Sequence, residues 1–163
     1  MEKLRVSLEF LEFPPENTFP GGNISPAISI EGIDTSSSIA VMVFNPSVRE
    51  VLSYCAWLVW DMPAVKTIPA GIPAGAKITS PISALQGTND AGAVGWTGPS
   101  PKPGEMHRYL FRVYGLDDFV HIPGGSKKSA LLAAMHGHIL QYGETEAVAS
   151  QPLPEQPARQ ARK

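Results

Sequence analysis

Hydrophobic and polar residues alternate along the N-terminal part of the chain. Residues 4–11 include RVSLEFL, in which Val6, Leu8 and Phe10 fall on one face, and this period of two predicts a half-buried strand. Two later segments, SSIAVMVF and CAWLVWDM, are almost entirely apolar. Such runs are typical of strands that are buried on both faces of their sheet.

A further strand and a helix are predicted towards the C-terminus. In HRYLFRVYGL a period of two places alternate side chains on one face. In PGGSKKSALLAAMHGHIL the period becomes helical, carried by Leu131, Leu132, Met135 and Ile139, with Ser126 as the predicted N-cap. Short strands joined by Pro- and Gly-rich loops and followed by one helix predict an all-β fold, an antiparallel β-sandwich with a C-terminal helix.

The last residues have a different composition. From Gly143 the chain reads ETEAVASQPLPEQPARQARK, with few large apolar residues and a basic end. A segment of this kind cannot bury enough apolar surface to offset the entropy cost of ordering. We therefore predict one folded domain over residues 1–142 and a disordered tail over residues 143–163.

Composition narrows the class of protein. The 163 residues are 43% hydrophobic and 17% charged, as in a single globular domain. A net charge of -2 and a pI of about 6.1 give no support for nucleic-acid binding. No apolar run predicts a transmembrane segment, and the N-terminus lacks a signal-peptide pattern. Cys55 is the sole cysteine, so no internal disulfide can form, and a cytoplasmic location is expected.

One loop suggests a binding site. GWTGPSPKPGEMHRY, residues 95–109, is punctuated by Gly and Pro and ends on His107 and Tyr109, which share one face of the strand that follows. Proline fixes its backbone φ angle, so such a loop can hold one shape at low entropic cost. An imidazole and a phenol on a rigid rim can donate two hydrogen bonds to an anion, although a structural role for both is the alternative.

Other polar candidates favour structural roles. His136 and His138 lie two apart in the predicted helix, about 200° apart in direction, so they cannot share a metal. Asp117 and Asp118 are adjacent at a strand end and suit a turn or cap rather than paired acid–base work. Cys55 lies in an apolar strand and is interpreted as a buried, inert thiol. No metal, cofactor or catalytic residue is predicted.

Several segments together resemble a known family. ISPAISI, DMPA with IPAG after it, LQGTNDAGAVGWTGPSPKPGEMHRYLFRVYGLD, and AAMHGHIL occur in the order seen in the phosphatidylethanolamine-binding protein family. The sequence is most similar to its bacterial and archaeal Raf-kinase-inhibitor-like branch, over about residues 4–141. The resemblance implies two antiparallel sheets and a C-terminal helix beside a small pocket. In the family this pocket binds phosphate- or acetate-like groups and is taken to receive phospholipid headgroups or phosphorylated residues.

The resemblance also implies site residues. By the matching motif, Pro101, His107 and Tyr109 belong to the pocket. The family usually carries Asp-Pro-Asp-x-Pro where this chain reads NPSVR, so the two acids are replaced by Asn45 and Ser47.

A second departure lies in the next strand. Where the family has a histidine before the aromatic residue, this chain has Ala56, followed by Trp57. Asn45 and Trp57 complete the predicted cleft. The pocket should be more apolar than in the family and should suit a neutral or different ligand, or none.

Three functions are weighed on these grounds. The first is a non-enzymatic binding protein with a small pocket, altered or weakened, for a phosphate, carboxylate or phospholipid-headgroup ligand. The second is a regulatory protein that inhibits a kinase or protease through surface loops, with a vestigial pocket. The third, an enzyme, is disfavoured because no nucleophile, base and orienting group assemble in the sequence. A homodimer is compatible with the resemblance.

Overall fold

The computed structural model describes residues 2–47 and 53–153. Within them the chain forms strands β1 to β10, one α-helix, α1, and a short 3₁₀ helix at Pro15–Asn17. The elements in chain order are β1 (Glu2–Lys3), β2 (Arg5–Ser7), β3 (Ile28–Glu31), β4 (Ser38–Asn45), β5 (Tyr54–Pro63), β6 (Thr67–Ile68), β7 (Lys77–Ile78), β8 (Ala84–Gln86), β9 (Met106–Leu116), α1 (Lys128–Met135) and β10 (Ile139–Ser150).

Two sheets organise these strands. The larger has seven strands in the order β1-β10-β9-β4-β5-β8-β7, and the smaller has three in the order β2-β3-β6. The pairs are antiparallel except for β1 with β10, which run parallel. The predicted antiparallel sandwich with a helix near the C-terminus is therefore confirmed.

The central strands of the large sheet are buried on both faces. Every residue of β4 is buried, because one of its faces packs on the small sheet and the other lies under the helix. Val41 and Val43 share a core with Ile28 and Ile30 of β3, whereas Met42 contributes to the core beneath α1. This double burial explains the continuous apolar run that predicted the strand.

The predicted first strand, residues 4–11, is wrong in its extent. The chain pairs with the large sheet at β1 and with the small sheet at β2, which ends at Ser7. Leu4, between them, donates its backbone N–H to Tyr142 O at 2.8 Å. Leu8 and Phe10 still pack on the core. The alternation of apolar and polar residues therefore correctly indicates burial beyond Ser7, where the pairing of β2 with β3 has ended.

The helix is shorter than predicted. Ser126 is not the N-cap, since its hydroxyl donates to Pro123 O at 2.6 Å and Lys127 occupies the cap position. The chain leaves the helix after His136 through Gly137, whose φ of 85° is readily adopted only by glycine. Ile139, expected on the helix, begins β10 instead.

The predicted disordered tail is wrong over residues 143–150, which belong to β10. This strand runs antiparallel to β9 along almost its whole length, from Tyr142 opposite Tyr114 to Ser150 opposite Met106. Its inward positions are small, namely Gly143, Ala147 and Ala149, so the segment lacks the large apolar residues that mark a core strand. The folded domain thus extends at least to Ser150, beyond the predicted limit of residue 142. Residues 154–163 of the predicted tail lie outside the described residues.

Candidate functional site

The loop before β9 leads a row of side chains from the surface into the core. Tyr109, Phe111 and Val113 alternate inward along β9 and are buried against the small sheet, as the period of two predicted. His107 begins the same row at the open end of the strand, where its side chain is 21% exposed. Trp96, from the loop itself, stacks on Phe111 with ring centroids 6.0 Å apart.

Asn89 gives this loop its shape. Its buried side-chain amide Nδ2 lies within hydrogen-bond distance of three acceptors, Ala56 O at 3.0 Å, Gly95 O at 3.0 Å and Thr97 Oγ1 at 2.8 Å. Its Oδ1 accepts from the backbone N–H groups of Ala91 at 2.9 Å and Ala93 at 3.0 Å. One side chain therefore satisfies loop groups on both sides of the turn and ties them to β5.

Asn23 holds the next part of the loop. Its Oδ1 accepts from Gly98 N at 2.6 Å, and its Nδ2 donates to Trp96 O at 2.9 Å. A Cβ atom on Gly98 would stand 2.2 Å from Asn17 O, so this close approach of two loops requires glycine. The stiffness expected from proline and glycine is thus reinforced by asparagine side chains from two distant segments.

A cavity of about 520 Å³, called here the His107 cavity, opens beside this loop. Its apolar lining includes Phe19, Ala91 and Ala93. Its polar lining comes from Asn45, Tyr54, Thr97, Ser100, His107 and Tyr109. The β4 end, the β5 start, the β9 start and two loops therefore meet at one hollow.

His107 has a protein partner at each ring nitrogen. Its Nδ1 lies 3.2 Å from Nδ2 of Asn45, which is almost completely buried at the end of β4. Its Nε2 lies 3.2 Å from Oε1 of Glu105, a residue of the preceding loop. The imidazole is thus fixed in orientation from both sides.

Tyr109 is a buried polar residue of the cavity lining. Its side chain packs edge-on against Phe13, with ring centroids 5.4 Å apart. Burial raises the pKa of its phenol to about 12, and a hydrogen bond with Asn45 opposes part of this shift. At neutral pH the side chain is therefore a phenol whose O–H can donate.

The structure brings together three of the five predicted site residues. Asn45, His107 and Tyr109 line the cavity, but Pro101 and Trp57 are not among the residues of its wall. Trp57 is completely buried, and its Nε1 donates to Gln86 Oε1 at 2.8 Å. It belongs to the core between the sheets, where its ring packs edge-on against Trp96 with ring centroids 5.6 Å apart. Pro101 lies in the loop, beyond the part that faces the cavity.

Other lining residues were missed from the sequence. Thr97 and Ser100 lie within the loop that suggested a site, and Tyr54 begins β5, one residue before the segment CAWLVWDM. Phe19 comes from a separate Pro-rich loop, and only the tertiary fold brings it to the cavity.

Cys55 has the inert role that was expected of it. Its thiol is completely buried and donates to Trp57 O at 3.3 Å, and burial raises its pKa to about 12. A thiol of this kind forms little thiolate at neutral pH and is a poor nucleophile.

The two histidines near the helix lie elsewhere than predicted. His136 caps the C-terminal end of α1, and His138 lies beyond it, with Nδ1 3.0 Å from Asp117 Oδ1. Among residues 2–47 and 53–153, no three His, Cys, Asp or Glu side chains are grouped as metal ligands. In the same residues no helix is long and apolar enough to cross a bilayer.

Fold and cavity define a β-sandwich protein with a small cleft where its central strands end. The chain belongs to the phosphatidylethanolamine-binding protein family, whose sequence model matches residues 10–150. That match includes β10, in agreement with the corrected extent of the domain.

Relatives and solved structures support this membership. A UPF0098 protein of Pyrococcus horikoshii is 38% identical over 133 residues, which cover 80% of this chain and 67% of that protein. A phosphatidylethanolamine-binding protein homologue from Chlamydia trachomatis has a crystal structure similar to this one, with a TM-score of 0.76 and 28% identity over 96% of this chain and 100% of that chain. Escherichia coli YbcL, described as a member of the mammalian family, shares the fold with a TM-score of 0.78 at 24% identity, over 90% of this chain and 98% of that chain.

Proposed function

We propose that this chain is a non-enzymatic binding protein that takes a small ligand into the His107 cavity. The observation that carries the proposal is that Asn45, His107 and Tyr109 line the same cavity of about 520 Å³. Pockets of a few hundred cubic ångströms with a few convergent polar groups are the usual form of a small-molecule site.

The loop beside the cavity favours binding without rearrangement. Asn89 and Asn23 fix its backbone through side-chain hydrogen bonds before any ligand arrives. A preformed site spends little free energy on ordering when its ligand binds. Hydroxyl groups and a phenol suit ligands that present oxygen acceptors, so the phosphate, carboxylate and headgroup ligands expected from the family are tested together with a neutral amide.

The same residues supply little for catalysis. The phenol of Tyr109 in the cavity and the thiol of Cys55, which does not line it, both have pKa values raised to about 12 by burial. A nucleophile needs a lowered pKa or an adjacent base that takes its proton. The ring nitrogens of His107, the base in the cavity, contact Asn45 and Glu105 rather than a nucleophile.

Nuclear magnetic resonance titration tests this function. Phosphate, phosphoethanolamine, phosphoserine, acetate and acetamide are added in turn to the isotope-labelled chain. At least one should shift the signals of His107 and Tyr109 in a saturable way, and His107→Ala should lose that response. His138→Ala, which removes an exposed histidine remote from the cavity, should retain it. A panel that leaves the cavity signals unmoved contradicts the proposal.

The alternative of a kinase or protease inhibitor that acts through surface loops stays a prediction. No observation in the described parts of the chain favours it over ligand binding.

A further inference from the structure

We propose that the His107 cavity selects an uncharged ligand that presents a carbonyl-type oxygen, and that it discriminates against phosphate. This inference rests on the proposed binding function and specifies the chemical class of its ligand. It is carried by the direction of the hydrogen bonds around His107 and by the charges beside the cavity.

The orientation of the Asn45 amide is fixed by a backbone group. Ser47 N–H donates to Asn45 Oδ1 at 2.9 Å, and because a backbone N–H can only donate, that atom must be the oxygen. The other end of the amide, Nδ2, therefore faces His107 Nδ1 at 3.2 Å. An amide nitrogen only donates, so Nδ1 is the acceptor and carries no proton.

The proton of His107 consequently lies on Nε2, which donates a hydrogen bond to Glu105. The carboxylate Oε1 of Glu105 stands 3.2 Å from Nε2 as an acceptor. Both ring nitrogens are thus satisfied within the protein. In this tautomer the imidazole offers no hydrogen-bond donor to a ligand, in contrast with the role expected of it from the sequence.

The donors that remain are neutral hydroxyl groups. Tyr109 lines the cavity with a neutral phenol, whose O–H can donate to an acceptor there. Thr97 Oγ1 accepts from Asn89 Nδ2 at 2.8 Å, which leaves its hydroxyl proton for another acceptor. Neutral donors of this kind bind a carbonyl oxygen well but gain much less than charged donors from an anion.

The charges around the cavity point the same way. None of the described residues that line it is a lysine or an arginine, and the charged group beside His107 is the carboxylate of Glu105. A phosphate monoester carries close to two negative charges at neutral pH and would leave water for a wall without a cation. The apolar side chains of Phe19, Ala91 and Ala93 instead suit the body of an uncharged organic molecule.

Three ligands that share a phenyl ring and differ in their polar group test the inference. Benzamide, benzoate and phenyl phosphate are titrated at pH 7.5 by nuclear magnetic resonance. We expect benzamide to bind at least tenfold more tightly than phenyl phosphate, with benzoate between them. Phenyl phosphate that binds as tightly as benzamide, or anions that bind alone, would overturn the inference and leave the proposed function intact. If none of these ligands nor free phosphate reaches the cavity, both proposals fail together.

Asn45→Asp tests the hydrogen-bond argument itself. A carboxylate at this position accepts a proton at His107 Nδ1, so the imidazole can hold protons on both nitrogens and becomes a cation. We expect the affinity ratio of phenyl phosphate to benzamide to rise at least tenfold. Thr79→Asp adds the same charge beside the edge strand β7 and should change that ratio less than twofold. A rise of similar size in both variants would overturn the argument.

The tautomer of His107 can be measured directly, without a ligand. Long-range proton–nitrogen correlation spectra of the unaltered chain at pH 7.5 should show His107 protonated at Nε2, and those of Asn45→Asp should show protons on both nitrogens. A proton on Nδ1 in the unaltered chain would overturn the inference. Thermal unfolding of each variant confirms that it is folded.

Discussion

At the scale of single residues, two asparagine side chains determine the character of the site. Asn45 directs an amide hydrogen to His107, whereas Asn89 holds the backbone of the loop that forms the cavity wall. An amide can donate and accept at once, which allows one side chain to satisfy both N–H and C=O groups in a buried loop. Both side chains are uncharged, so they fix the geometry of the site without adding a positive charge that could bind an anion.

Asn89→Ala should destabilise the domain by about 2–4 kcal/mol, because the buried N–H groups of Ala91 and Ala93 lose their acceptor. Urea unfolding followed by tryptophan fluorescence measures this free energy. Gln151→Ala, which truncates an exposed polar side chain near the same end of the sheet, should change it by less than about 0.5 kcal/mol. Equal stability of the two variants would show that the loop does not depend on Asn89.

The residue scale also shows what the sequence could reveal about the site. Asn45, His107 and Tyr109 could be predicted as site residues because each lies in a segment that resembles a family motif. Phe19 was not, because its loop is 88 residues from His107 in the printed numbering and only folding joins them. Trp57 was misplaced because its position next to Ala56 in the sequence does not show how deep in the core the side chain lies.

At the scale of elements, β10 completes the sheet around which the molecule is built. It lies between β1 and β9, and its outward Glu146 pairs with Arg108 of β9 at 2.7 Å. Gly143 allows Leu4 to approach closely, since a Cβ there would stand 2.3 Å from Leu4 O. Strand β9, whose first residues line the cavity, thus pairs with a strand that consists largely of small and acidic residues.

A chain that ends at Tyr142 should therefore fail to fold. Removal of the following residues would leave β9 without its β10 partner from Val113 to Met106, in a domain whose total stability is typically about 5–15 kcal/mol. Near-ultraviolet circular dichroism and thermal unfolding measure the outcome. A chain that ends at Leu153 keeps all of β10 and should unfold cooperatively. Native spectra for the shorter chain would restore the interpretation of residues 143–150 as a tail.

The strands predicted correctly and the strand missed differ in one physical respect. In β4 and β5 burial on both faces requires large apolar side chains, and these produce an unmistakable run of Val, Met and Trp. In β10 the buried positions from Gly143 onward are Gly and Ala, and Gly143 lies close to Leu4. Hydrophobicity then understates burial, and the alternation with glutamate resembles a solvated segment.

At the scale of the whole molecule, both cores hold titratable groups that are kept neutral by burial. Tyr109 lies in the core between the sheets, and Cys55 and Tyr114 lie in the core beneath the helix. Burial raises the pKa of each, to about 12 for Tyr109 and Cys55. The native state therefore holds more protons than the unfolded state in alkaline solution, and its stability must decrease as the pH rises through that range.

For Tyr109 the window follows from its ordinary value of 10.0 and its value of about 12 in the native state. The stabilising contribution of the neutral phenol is complete below pH 10 and is lost as the pH rises towards 12. Two pH units correspond to about 2–3 kcal/mol from this residue. Urea unfolding at pH 8, 10 and 11 should show a steady decrease in the free energy of unfolding. Tyr109→Phe, although less stable at pH 8 through the loss of its bond with Asn45, should show a shallower decrease. Parallel pH profiles for the two proteins would mean that the phenol is hydrated in the native state, which would also remove it as the neutral donor of the cavity.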